Sequence, residues 1–159
     1  MPTELIKELR RRRLDRYASG TDAEAVSLAH EDLLSSRDYR HSSPAASKMH
    51  ATDVLRSVAV LTPALITDTI VRDCQKVFPA CNDSSRINII RILSLLRRKD
   101  ALRFLEQVRD DNTRPNASIV VWDNGRYVMK SVRDDSQPDW VTEEAIKSIA
   151  IIQNDGPSA

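Results

Sequence analysis

The side chains that most often carry catalysis or bind metals are few in this chain and widely spaced. Its two cysteines, Cys74 and Cys81, do not form a CxxC motif, and no second pair exists to complete a zinc site. The three histidines, His30, His41 and His50, form neither an HExxH motif nor a pair four residues apart. We therefore expect no metal, no cofactor and two buried structural thiols.

Motifs that activate a nucleophile or bind a nucleotide do not occur in the sequence either. GxSxG, the P-loop and GxGxxG are absent, and only three glycines are available for a loop that surrounds a phosphate. Carboxylates are frequent, but most have basic neighbours at helical spacing, which is typical of solvated surface charges. The sequence thus offers no catalytic residue, and we expect a protein that is not an enzyme.

The most unusual local feature is a run of four consecutive arginines: Arg10, Arg11, Arg12 and Arg13. Guanidinium groups bind phosphates and carboxylates, so the run is a candidate site for a nucleic acid or another anionic partner. Consecutive residues of a helix point in different directions, however, and Glu4, Glu8 and Asp15 lie within helical reach of the run. A solvated surface paired with these acids is the alternative interpretation.

Two further groups of residues are candidates for partner binding. The first is a basic run of Arg97, Arg98 and Lys99 at a predicted helix end. Positive charge there also interacts favourably with the helix dipole and stabilises the helix by about 0.3–1 kcal/mol. The second is Trp122 and Tyr127, since exposed aromatic side chains often anchor partners. Aromatic residues of a hairpin more often pack inward, which is the competing interpretation for this pair.

Composition restricts the class of protein. The chain has 159 residues, the length of one domain, and at about this size roughly 70% of the unfolded surface becomes buried. Lys and Arg number 24 against 23 Asp and Glu, so a nucleic-acid-binding role would need a local basic patch. Aromatic residues make up only 4%, and the scarcity of glycine argues against an all-β fold.

Targeting signals are not recognisable in the sequence. No apolar run approaches the roughly 20 residues of a membrane-spanning helix. The N-terminal residues lead into the arginine run without the apolar core of a signal peptide. We expect a cytoplasmic protein, or a nuclear one in a eukaryotic host, that makes no contact with membranes.

Two helices and a linker are predicted before the middle of the chain. The first helix is predicted over residues 3–18 and the second from about residue 22 to 36. Thr21 and Glu24 have the spacing of a capping box, in which two side chains satisfy free amides at a helix start. The polar stretch 38–46 predicts the longest linker.

The middle of the sequence contains two copies of one unit. Residues 53–61 match residues 88–96 at an offset of 35, as Arg56 and Arg91 illustrate (91 − 56), and residues 71–73 match 108–110 after a two-residue insertion. Each copy predicts an A helix, a short turn and a B helix, a period typical of helical solenoids. The apolar positions expected to be buried are Leu55, Leu61, Ile90, Leu93, Leu102 and Leu105.

Residues 51–111 resemble the HEAT and armadillo-type helical repeats. The resemblance rests on the paired amphipathic helices, on Asp53 and Asn88 before the core of each A helix, and on Arg56 and Arg91 within it. It implies stacked helix pairs that bind another macromolecule through their surface. An ordinary helical bundle is the alternative that the same pattern allows.

The period of the apolar residues changes from residue 117. Residues 117–132 predict a hairpin around Asn124-Gly125, the strongest two-residue turn signal, which places Trp122 opposite Tyr127. A lone hairpin is marginal in water, so one of its faces should pack on the helices. A short helix over 127–135 is the alternative. A last helix is predicted over 139–153, followed by a flexible tail over 154–159.

Together these patterns predict a mainly α-helical single domain over residues 1–153, either HEAT-like helix pairs or a helical bundle, with one small C-terminal β-hairpin. The function we expect is that of a non-catalytic protein-binding adaptor or regulatory module. A helical module that binds nucleic acid through the two basic runs is the alternative. The position of the basic residues discriminates between them, because nucleic acid needs one contiguous basic stripe.

Overall fold

The computed structural model describes residues 1–35 and 44–154, and the side chains of residues 44–47 lie outside the described part. The described residues are mainly helical with one antiparallel hairpin, which confirms the predicted fold class. The helices are α1 (Glu4–Arg11), α2 (Asp22–Leu34), α3 (Pro44–Leu61), α4 (Asp68–Val77), α5 (Asp83–Leu95), α6 (Leu102–Asp110) and α7 (Trp140–Asn154); the strands are β1 (Ala117–Asp123) and β2 (Arg126–Val132).

The first six helices form three pairs of the same local design. In each pair a short 3-10 turn, at Asp15–Tyr17, Pro63–Leu65 or Lys99–Ala101, lies between the A helix and the B helix. The A helices α1, α3 and α5 pack in order and α7 packs on α5, while α2 packs on α3 and α6 packs on α7. The segment from α1 to α2 thus has the same order of helix, 3-10 turn and helix as each copy that the sequence indicated within residues 51–111.

The core is one cluster of buried apolar side chains drawn from all seven helices. Leu55, Ile90, Leu93 and Leu105 are fully buried, as predicted, and Leu102 packs against the cluster from a half-buried position. The prediction for Leu61 is wrong, because its side chain remains 44% exposed. It lines a depression opposite the charged side chains of Glu8 and Arg12 from α1, so no apolar side chain covers it there.

The first helix ends much earlier than predicted. Arg13 has a φ of 60°, its amide donates to the carbonyl of Arg10, and the amide of Leu14 donates to the carbonyl of Leu9 over 2.8 Å. These two hydrogen bonds define a Schellman motif, in which an apolar residue after the helix packs back on its last turn. Burial of both Leu9 and Leu14 explains why the chain turns here rather than continuing to residue 18.

The second basic run ends a helix in the same way. Arg97 has a φ of 52°, its amide donates to the carbonyl of Ser94, and the amide of Arg98 donates to the carbonyl of Leu93 over 3.1 Å. Glycine is the usual residue at this left-handed position, and any other residue costs roughly 1–2 kcal/mol there. Both basic runs therefore lie at helix C-termini, where their charge also offsets the helix dipole.

The second helix begins as predicted, and α3 begins earlier than predicted. Thr21 and Glu24 form both hydrogen bonds of the capping box. The predicted linker 38–46 overlaps α3, which already begins at Pro44; its remaining part, together with the end predicted for α2 at residue 36, lies outside the described residues. A buried carboxylate, Asp32, accepts hydrogen bonds from Arg16 and Tyr17 and thereby attaches the first 3-10 turn to α2.

The hairpin has the predicted register. Trp122 is paired with Tyr127 and Val121 with Val128, and Asn124 and Gly125 both have positive φ, as a tight two-residue hairpin turn requires. The alternative of a helix over 127–135 is wrong, since β2 continues to Val132. The final helix includes Asn154, and the rest of the predicted tail, 155–159, lies outside the described residues.

Candidate functional site

The first basic run is largely engaged with nearby acceptors. Arg11 and Arg12 both donate to Glu8, at 2.5 and 3.1 Å, and the hydrogen bond from Arg11 is the main cause that lowers the pKa of Glu8 to about 2. Arg12 also approaches Asp53 of α3 at 4.0 Å, while Arg10 donates to the carbonyl of Ala18. The fourth arginine of the run, at position 13, is exposed beyond the helix end.

The second basic run pairs with different acids. Arg98 donates to Asp100 over 2.7 Å and to Asp68, at the start of α4, over 2.6 Å, and these hydrogen bonds raise its pKa. Arg97 and Lys99 on either side of it are exposed. Among the described ion pairs, those of Arg11 and Arg12 use Glu8 and Asp53 whereas those of Arg98 use Asp68 and Asp100, so these arginines belong to two separate groups of paired charges.

The aromatic pair of the hairpin is exposed, which contradicts the expectation that it packs inward. The rings of Trp122 and Tyr127 meet edge to face with centroids 4.8 Å apart, and their residues are 63% and 73% exposed. Val120 and Met129 lie on the same face and are 61% and 70% exposed. Val121, on the other face, is half-buried, so the hairpin presents its aromatic face to solvent.

A buried arginine holds the base of the hairpin against the helices. Arg114 donates to the carbonyl of Val108, at the end of α6, and to Asp139 and Thr142, at the start of α7. Burial would raise the pKa of Asp139, but hydrogen bonds from Arg133 and Thr142 and the charge of Arg114 lower it to about 2. The exposed hairpin face is therefore attached to the helices by a charged network at its base.

A chain of polar contacts crosses the row of A helices. Asn88 of α5 donates to Asp53 of α3 over 2.9 Å and to Thr52 over 3.1 Å. Arg91 of α5 donates to Glu144 of α7 over 2.9 Å. With the contacts of Arg12 to Glu8 and Asp53, these pairs connect α1, α3, α5 and α7 on one surface.

Arg56 lies in the middle of this surface and differs from its neighbours. It is half-buried, and within the described residues its guanidinium has no hydrogen bond or ion pair. Burial lowers its pKa most, and the positive charges of Arg12 and Arg91 lower it further, while Asp53 and Glu144 oppose these effects. We call Arg12, Arg56 and Arg91 the arginine row.

Two surface depressions meet at Arg56. One, of about 310 Å³, lies between α1 and α3 and has Glu8, Arg12, Val60 and Leu61 in its wall. The other, of about 340 Å³, lies between α3 and α5; its wall includes the following residues: Met49, Asp53, Ile87, Asn88 and Arg91. Arg56 is common to the walls of both, and we call the two depressions together the arginine groove.

Most of the residues that the sequence indicated for partner binding lie outside this groove. Of the predicted binding residues only Arg12 lies in it, and Arg56 and Arg91 entered the sequence analysis merely as markers of the repeat. That repeat was nevertheless a usable signal, because equivalent positions of stacked units lie side by side on one surface. The partnership of Asp53 with Asn88, which are also equivalent at the offset of 35, illustrates this placement.

Other groups capable of chemistry do not converge. His30 and Asp73 form one pair at 2.7 Å between α2 and α4. Burial raises the pKa of Cys74 to about 12, and both cysteines are free and buried, as expected. The described part of the chain contains no group of three or more residues able to hold a metal ion, and none of its helices is long and apolar enough to cross a membrane.

Comparison with known protein families, curated proteins and solved structures found no match to this chain. Any function therefore has to be argued from the surfaces described above.

Proposed function

We propose that the protein is a non-catalytic protein-binding adaptor or regulatory module, built of HEAT-like helix pairs that carry a binding hairpin. The observation that carries this proposal is the hairpin face of Val120, Trp122, Tyr127 and Met129, which we call the aromatic face. Its four side chains are between 61% and 73% exposed. Exposed apolar clusters with aromatic side chains are typical of protein–protein contacts.

The pattern of charge on the hairpin supports a protein partner. The register places Asp123, Arg126 and Lys130 on the opposite face, so that the aromatic face carries only uncharged side chains. Such a face offers nothing to a phosphate backbone but buries apolar area well against a protein. The charged network at its base, centred on Arg114, holds it in a defined position, which reduces the entropic cost of binding.

The stacked helices support the same proposal. Three helix pairs whose A helices pack in order resemble the arrangement of helical solenoids, which bind partners through extended surfaces. The two basic runs are paired with separate acids, a distribution that favours a protein partner over the nucleic-acid alternative. Two free, buried cysteines fit the reducing cytoplasm that we propose as its location.

The test is affinity capture with three forms of the protein: the wild type, Trp122→Ser and Trp140→Ser. Trp140 is similarly exposed, at 62%, but it lies at the start of α7 rather than on the aromatic face, so it is a matched control. We expect a protein that the wild type and Trp140→Ser retain and Trp122→Ser loses, with direct binding then measured on the purified partner.

Two results would overturn the proposal. One is a retained species that nuclease treatment removes, since this would make nucleic acid the partner. The other is equal retention of every captured protein by Trp122→Ser and the wild type. Self-association of the purified chain that depends on Trp122 would instead make a second copy the occupant of the aromatic face.

A further inference from the structure

We infer that the arginine groove binds an acidic side chain from an extended segment of a partner protein, with the Arg56 guanidinium donating hydrogen bonds to its carboxylate. This inference rests on the proposed function and names the chemistry of a second contact. It concerns a surface separate from the hairpin, formed by α1, α3 and α5.

Arg56 differs in its contacts from the other two arginines of the groove surface. Both of those have acid partners: Arg12 has Glu8 and Asp53, and Arg91 has Glu144. Arg56, between them, is half-buried and has no hydrogen bond or ion pair within the described part of the chain. A guanidinium has five donors, and a partly dehydrated one binds a carboxylate through two parallel hydrogen bonds.

The charges around Arg56 also favour an anionic ligand at this position. Arg12 and Arg91 place two further positive charges near Arg56 and, together with burial, disfavour its charged form, while Asp53 and Glu144 oppose this in part. A carboxylate bound at Arg56 would remove this repulsion, and it would interact with all three guanidiniums at once. Arrangements that are unfavourable in the free protein and relieved by a ligand are characteristic of binding sites.

The composition of the groove surface favours an acidic peptide over a nucleic acid. Three acids, Glu8, Asp53 and Glu144, alternate with the three arginines on the groove surface, so a polyanion that follows the groove would meet like charges. Among the residues that the structure describes, no aromatic ring stands in the walls of the two depressions to stack with a base. One isolated carboxylate, by contrast, needs only the space above Arg56.

The walls of the groove indicate what flanks this carboxylate. Val60 and Leu61, which are 59% and 44% exposed, lie beside Arg56 in the depression between α1 and α3. Met49 and Ile87 lie in the depression on its other side. A partner segment with an apolar residue on each side of Glu or Asp would therefore cover apolar surface while its acid reaches Arg56.

The experiment is an array of short synthetic peptides in which Glu, Gln and Leu are permuted, probed with the full chain. Wild type is compared with Arg56→Gln and with Arg103→Gln, a control at an exposed arginine of α6 outside the groove. We expect peptides with Leu on both sides of Glu to bind the wild type and the control best. Arg56→Gln should weaken them about ten-fold or more, as loss of a charged hydrogen bond does.

Combining Arg56→Gln with a substitution in the peptide tests whether the peptide carboxylate contacts Arg56 itself. Replacing the peptide Glu by Gln should also cost about ten-fold with the wild type, but little with Arg56→Gln, because the interaction is already lost. Thermal unfolding checks the fold, and Arg56→Gln should melt at the wild-type temperature or above it, because no ion pair is broken.

Three outcomes would overturn the inference: no acidic peptide bound more tightly than its Gln counterpart, equal binding by Arg56→Gln, or displacement of the peptide by single-stranded DNA at physiological salt. Failure here is distinguishable from failure of the proposed function. A partner that depends on Trp122 and is retained by Arg56→Gln would leave the proposed function standing and refute only the arginine groove.

Discussion

Asn88 and Asp53 occupy equivalent positions of two successive helix pairs, and the side-chain amide of Asn88 donates to the carboxylate of Asp53 over 2.9 Å. The same amide group reaches Thr52 over 3.1 Å, so one buried side chain of α5 joins two residues of α3. A polar contact between equivalent residues fixes the position of one unit on the next, because a displacement of either helix breaks both hydrogen bonds.

Asn88→Ala should lower the free energy of unfolding by about 1–3 kcal/mol, since buried Thr52 and half-buried Asp53 would lose their donor. Urea unfolding followed by circular dichroism measures the change. Asn112→Ala, at an exposed position after α6, is the control and should stay within about 0.5 kcal/mol of the wild type. Equal stability of both variants would show that the contact between the helix pairs has no energetic importance.

Two leucines of the repeat should differ in their contribution to stability. Leu93 is fully buried and Leu61 is 44% exposed, although the sequence pattern predicted burial for both. We expect Leu93→Ala to cost about 2–5 kcal/mol, as a large-to-small change in the core does, and Leu61→Ala to cost about 1 kcal/mol or less. Chemical denaturation of the two variants gives both values, and a larger loss for Leu61→Ala would contradict the packing of α1 on α3.

Stability should fall in acid through Asp139. Its pKa in the folded protein is about 2, below the ordinary 3.8, so its contribution is present above about pH 4 and is lost as the pH falls towards 2. The shift corresponds to about 2 kcal/mol. Unfolding free energies measured at about pH 5 and pH 2.5 should differ less in Asp139→Asn than in the wild type. An identical pH dependence of the two proteins would show that the Arg114 network does not stabilise the attachment of the hairpin.

Neither cysteine should react with a thiol reagent while the protein is folded. Burial raises the pKa of Cys74 to about 12 and also raises that of Cys81, which keeps both thiols protonated and inaccessible. Labelling with a chromogenic disulfide should be slow in native buffer and fast in urea. Rapid stoichiometric labelling of native protein would show that the core around α4 opens readily.

Local signals in the sequence determined the elements whose geometry depends on near neighbours. Asn124-Gly125 fixed the turn and therefore the pairing of Trp122 with Tyr127, because only residues that accept positive φ form this turn. Thr21 and Glu24 fixed the start of α2 through hydrogen bonds within three residues. The offset of 35 indicated the stacked units and placed Asp53 and Asn88 at equivalent positions, since a repeated apolar pattern requires a repeated packing surface.

The tertiary structure decided which residues far apart in the sequence lie next to each other. The apolar pattern predicted a helix over residues 3–18, but burial of Leu14 beside Leu9 ends α1 at Arg11, despite the strain of a left-handed Arg13. Leu61 stays exposed because the charged side chains of Glu8 and Arg12 face it across a depression. Arg56 resembled its equivalent Arg91 in sequence, yet within the described residues Arg91 forms an ion pair, with Glu144 of α7, and Arg56 forms none. Whether a charge is paired depends on the helix packed beside it, and neither local propensity nor spacing along the chain contains that information.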